Sequence, residues 1–134
     1  MAQTTHSSPP ADGTPWPTEL RLSRDRRTLT VAFDNGERHA LEAEYLRVTS
    51  PSAEVQGHAP HERQTVPGKR DVAILEVHPV GNYAVRLAFD DMHSTGIFTW
   101  DYLLALGREH ETRWRAYLDE LAQKGLSRDP PKRR

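Results

Sequence analysis

Asp90, Asp91 and His93 fall together in the stretch DDMH, just after an apolar run. Two carboxylates and an imidazole held that close could bind a divalent ion such as Mn²⁺ or Fe²⁺. The same residues also suit a plain turn, because an aspartate after a strand often bonds to backbone amides two residues on. The remaining histidines add little to a metal site. His58 and His61 lack the spacing of a helical or strand ligand pair, and His78 precedes a proline at a strand end. No histidine has an acid two residues later, so the facial triad of an iron(II) oxygenase is not encoded.

Other chemistries find less support. Ser50, Ser52 and Ser94 are hydroxyl candidates, but none sits in G-x-S-x-G. Ser52 also reads as the cap of a short helical turn, SAEVQG, which Gly57 stops. VPGKRD contains Gly68-Lys69 but not the rest of a phosphate loop. Arg70 stands where the magnesium-binding hydroxyl belongs, and a strand follows instead of a helix. Arg24, Arg26 and Arg27 are interrupted by Asp25 with no aromatic residue between them, which suits a solvated turn better than a nucleic-acid surface.

Composition narrows the field further. The chain has no cysteine, which excludes disulfides, thiolate metal sites and cysteine nucleophiles. With 18 basic and 19 acidic side chains, no global field recruits nucleic acid or an anionic membrane. The opening MAQTTHSSPPADGTPWP lacks a basic start and an apolar run, so it is not a secretion signal. No apolar stretch approaches the roughly 20 residues of a membrane helix, and a cytoplasmic location is expected.

The elements that must position these residues follow from periodicity. TELRLS and TLTVAF alternate as strands, and Asn35-Gly36 signals a tight type I′ hairpin turn before the return strand ERHAL. Leu41, Tyr45 and Val48 are spaced as a short helix, which Thr49-Ser50-Pro51 breaks. His58 to Arg70 is a polar loop. DVAILEVHPV is a strand too apolar at Val72 to Leu75 to face water, and YAVRLAF answers it with Tyr83, Val85, Leu87 and Phe89 on one face. GIFTW is a short last strand. The helix DYLLAL should stop at Gly107, and a second helix carries a stripe of Trp114, Tyr117, Leu118 and Leu121 before a Gly125 cap. The expected fold is α+β, two-layered, with an antiparallel-rich sheet of about six short strands and helices on one side. Residues 1–15 and the basic end 127–134 read as flexible tails around one domain, 16–126. No internal repeat of roughly 20–50 residues is visible.

Taken in order, DNGERHALEAEYLRVTSPSAEV and VAILEVHPVGNYAVRLAFDDMHSTGIFTWDYLLALG resemble the γ-butyrobetaine hydroxylase-like N-terminal domain family, from about Glu19 to Gly107. In the hydroxylases, this resemblance implies, such a domain precedes an oxygenase domain and holds a structural zinc on three cysteines and a histidine. Carried over, the cysteine positions fall on Ser50, Ser52 and Val55, and the histidine on His93. Two hydroxyls and an isopropyl group cannot replace three thiolates, so no zinc and no other cofactor is expected. In its place we expect a polar clasp of Arg47 with Asp90 or Asp91, and of Ser50 or Ser52 with His93.

Fold similarity alone licenses no activity, so we expect a non-catalytic interaction module with a protein partner. Its contact region is expected between Gly57 and Arg70, a long loop for so small a domain. Similar domains fused to ATPases that carry iron–sulfur clusters supply one alternative, a docking factor in cluster assembly. A cryptic metal-dependent enzyme using Asp90, Asp91 and His93 is another. Self-association through exposed sheet edges stays open.

Overall fold

In a computed structural model of the chain, the described residues are 15–52 and 65–131. They form an α+β fold of six strands and three helices: β1 (Pro17–Leu22), β2 (Thr28–Phe33), β3 (Arg38–Glu42), α1 (Ala43–Val48), β4 (Ile74–Val80), β5 (Ala84–Phe89), β6 (Ile97–Thr99), α2 (Trp100–Arg108) and α3 (His110–Gln123). The strands divide between two antiparallel sheets, β1-β2-β3 and β4-β5-β6. The expected short helix at SAEVQG and most of the polar loop lie outside the described residues. No described helix is long and apolar enough to cross a membrane.

The two sheets are built alike. Each begins with a bulged edge strand: Pro17 faces Phe33 and Glu19 faces Ala32, while Ile74 faces Phe89 and Glu76 faces Ala88. Each middle strand ends in phenylalanine, with an aspartate directly after it. Asp34 and Trp16 exchange two hydrogen bonds (2.8 and 3.1 Å), and Asp90 and Ala73 exchange the same two (2.9 and 3.1 Å). Each third strand runs directly into a helix, β3 into α1 and β6 into α2.

Period-two patterning does place the core. Leu29, Val31, Phe33 and Leu41 from the first sheet meet Ile74, Val85, Leu87, Phe89 and Phe98 from the second in one buried cluster with Tyr45, Leu46, Leu103 and Leu106. The Tyr45 hydroxyl donates to the Leu106 carbonyl at 2.7 Å, and burial pushes its phenol up, which keeps it a donor. The sheets also meet at the β1–β2 turn. There Ile74 N donates to Arg26 O at 2.8 Å, and the Arg26 guanidinium donates back to Leu75 O at 2.7 Å.

Several local expectations are corrected. Asn35-Gly36 does not make a type I′ turn, because only Arg26 and Met92 have positive φ among the described non-glycine residues. Gly36 alone is left-handed (φ 91°), and the pattern Gly36 N to Phe33 O, Phe33 N to Glu37 O is a type I turn closed by a glycine bulge. Leu75 is 49% exposed, because the bulge beside it turns it outward. Tyr83 is still in the turn before β5 and is also exposed.

Gly107 does not stop α2, which runs on to Arg108. Its role is close approach: a Cβ there would overlap the Cβ and Cγ of His39 on β3. Gly125 does cap α3, in a Schellman arrangement with Gly125 N on Ala122 O and Leu126 N on Leu121 O. Gly107→Ala should therefore lower stability by about 1–3 kcal/mol in urea unfolding, the usual cost of overpacking. A Gly107→Ala/His39→Ala double variant should recover part of that loss, and purely additive losses would refute the contact.

Candidate functional site

Helix α1 is only 6 residues long, and all of them are buried, including Glu44 and Arg47. So short a helix has little stability of its own, and packing must hold it. A buried charge must also find a partner. Glu44 takes a bidentate pair from Arg128 (2.8 and 2.7 Å), whose guanidinium also lies over the Trp114 ring. Arg47, 4% exposed, donates from Nε to Asp91 Oδ2 at 2.8 Å.

The β5–β6 connection presents Asp91. Its turn repeats the Phe33–Glu37 device: Met92 N donates to Phe89 O (3.2 Å), Phe89 N to His93 O (2.8 Å), and His93 N to Asp91 Oδ1 (3.2 Å). Asp91 therefore has one oxygen inside its own turn and the other facing α1. Lys69 Nζ reaches that second oxygen as well, at 2.6 Å. Burial works to raise the Asp91 carboxyl, but hydrogen bonds from Lys69 and Arg47 outweigh it and hold the group below the usual aspartate range.

His93 is buried and completes the second half of the cluster. Its Nε2 lies 2.9 Å from Ser50 Oγ and 3.5 Å from Ser52 Oγ. Ser50 is itself fully buried against Gly96, where a Cβ would overlap the serine hydroxyl. Such a hydroxyl has no route to an external electrophile, and Asp91 binds the backbone of His93, not its ring.

Of the residues singled out in the sequence, Arg47, Ser50, Ser52, Asp91 and His93 thus share one cluster. Asp90 does not join it: its carboxylate accepts from Ala73 N. The place corresponding to the third cysteine, Val55, lies outside the described residues, as do 57–64 of the proposed contact loop. Among the described residues, no three His, Cys, Asp or Glu side chains are placed to hold a metal ion.

Sequence reasoning missed Lys69, Glu44, Arg128 and Met92. Ser127 O and Arg128 O accept from Gly68 N and Arg70 N (both 2.9 Å), so part of the segment read as a tail lies along the strip that carries Lys69. Met92 occupies the left-handed position (φ 76°) that Gly36 fills in the first sheet, and it is 91% exposed. The signal was available: FDNGE and FDDMH align residue by residue, with methionine in the glycine place.

Two outcomes follow. A non-glycine residue in this backbone region costs roughly 1–2 kcal/mol, so Met92→Gly should raise the melting temperature by several degrees; a fall would refute the strain. For Asp91, the folded pKa lies below the unfolded value near 3.9, so its stabilisation is complete above roughly pH 5 and disappears as pH falls through the folded value. Asp91→Asn should be less stable than wild type at pH 7, and the two stability curves should converge as pH falls through the folded value. Parallel curves across that range would contradict the assignment.

Against this geometry the relatives can be placed. The family model described as "Gamma-butyrobetaine hydroxylase-like, N-terminal" matches residues 20–104. Two NMR solution structures each align with a TM-score of 0.76. One is 44% identical and covers 90% of this chain and 95% of that chain; the other is 42% identical and covers 96% of each. A crystal structure from Acidithiobacillus ferrooxidans, of a DUF971-family protein with unknown function, aligns with a TM-score of 0.57 and 43% identity over 68% of this chain and 91% of that one. No curated protein matches the chain. The chain belongs to the γ-butyrobetaine hydroxylase-like N-terminal domain family.

Proposed function

We propose that this chain is a non-catalytic interaction module, stabilised at its site by a polar clasp in place of a structural zinc ion. The observation that carries the reading is where the reactive groups are spent. Asp91 serves two cations and an amide, Asp90 serves the Ala73 amide, and His93 meets two serine hydroxyls. A general base or metal ligand would have to leave one of these partners first. The donor set points the same way: Ser50 and Ser52 offer neutral hydroxyls where zinc would need thiolates.

Recognition then falls to what the site displays. Met92 projects from a strained turn directly beside this cluster, and strain of this kind is retained where the surroundings or a task require it. An unbranched, polarizable side chain is well suited to contact with an apolar partner surface. The partner we envisage is a protein, and a docking role in iron–sulfur cluster assembly is the narrower form of this reading. The identity of the recovered partner decides that narrower form.

The test is affinity purification from the native host, with wild type and Met92→Asp as parallel baits and elemental analysis of both. A partner retained by wild type and lost by the variant, with no stoichiometric metal, is expected. Turnover of a small molecule by pure protein, or one zinc per chain bound through His93, would overturn the reading. The triple variant Ser50→Cys/Ser52→Cys/Val55→Cys should by contrast take up one zinc per chain. Failure to do so would contradict the carry-over of the family's ligand positions onto Ser50, Ser52, Val55 and His93.

A further inference from the structure

A cleft of about 360 Å³ lies between the end of α1 and the pair α2 and α3. That is within the size range of small-molecule pockets. Val48, Pro51 and Ala116 supply aliphatic wall, and the rings of Tyr102 and Tyr117 supply aromatic wall. The polar groups of these walls are nearly all committed inward. The Tyr102 hydroxyl donates to Thr49 O at 2.5 Å, the Tyr117 hydroxyl to Val66 O at 2.6 Å, and the Thr49 hydroxyl to Tyr45 O at 2.7 Å.

Arg113 is the exception. Its guanidinium lies 5.6 Å from the centre of the Tyr102 ring, and its Nε donates to Glu109 at 2.8 Å. The terminal Nη groups make no hydrogen bond among the described residues, and Arg113 is one of the residues lining the cleft. A guanidinium whose Nε is occupied still offers the Nη1–Nη2 edge, which matches the two oxygens of a carboxylate. Glu109 fixes the orientation of that edge from the solvent side, where it is half exposed. The cleft therefore combines a largely apolar lining with one guanidinium that is ion-paired through Nε and keeps its Nη edge without a hydrogen bond among the described residues.

We propose that this cleft is a binding site for a small monocarboxylate with an aromatic or branched apolar body, its carboxylate on Arg113 and its body between Tyr102 and Tyr117. The site is separate from the Arg47–Asp91 cluster and does not rest on the interaction-module reading. It assigns to the chain a ligand class: an organic acid small enough for the cleft, bound without chemical change.

Phenylacetate and its neutral counterpart phenylacetamide are suitable probes, followed by amide-shift NMR titration of the full chain. Saturable shifts at Thr49, Tyr102, Arg113 and Ala116 are expected, with phenylacetate bound about tenfold or more tighter than the amide. Arg113→Gln should remove that preference. Ala116→Trp, a rim substitution at an exposed helix position, should abolish binding of both probes with the fold intact. No saturable shift up to the millimolar range, equal affinity for the two probes, or an unchanged preference in Arg113→Gln would each overturn the proposal.

Discussion

A helix of 6 residues, all of them buried, carries two opposite charges into the protein interior. Each is paired from a distant part of the chain, although the two stand three residues apart on the helix. Glu44 is paired by Arg128 from the end of the described chain, and Arg47 by Asp91 from the β5–β6 turn, with Lys69 bridging to the same carboxylate. Desolvated charges cost several kcal/mol unless partnered, so α1 can sit where it does only if these distant segments are also in place. The pairing therefore fixes which segments meet, more than it adds net stability over an apolar contact of the same volume.

The repeated sheet architecture explains how one of these partners, Asp91, reaches α1 in register. In both sheets the same turn closes a phenylalanine–aspartate strand end, and in both the turn hands a side chain to a helix. In the first, Glu37 pairs with Arg108 of α2 and with His39, which draws its carboxyl down to about 2. In the second, Asp91 is handed to Arg47 of α1 and His93 to the serines that follow it. One device serves two helices. The difference lies in the left-handed place, where the first turn has the residue that fits without strain and the second has an exposed methionine.

Much of this was legible. Strands with period-two apolar residues came out where Leu29, Val31 and Phe33 or Val85, Leu87 and Phe89 marked them, because alternation reports a half-buried sheet directly. Arg47, Asp91, Ser50 and His93 were gathered into one site from the family resemblance, not from spacing. What was not legible depends on contacts between remote segments. Gly107 reads as a helix stop unless the packing of His39 is known. Leu75 reads as core unless the bulge is known. Lys69 sits in a glycine–lysine pair that suggests phosphate, and Arg128 in a basic run that suggests a tail; only three-dimensional placement gives each a carboxylate.

The claim on which the account turns is that Arg47 and Asp91 are energetically coupled across the interior. A double-mutant cycle of Arg47→Met and Asp91→Asn, read by urea unfolding at pH 7, measures this directly. A coupling of about 1.5 kcal/mol or more is predicted, within the range for neighbours that share one network. Additivity to within about 0.5 kcal/mol would mean that the two charges tolerate burial independently, and would contradict the account.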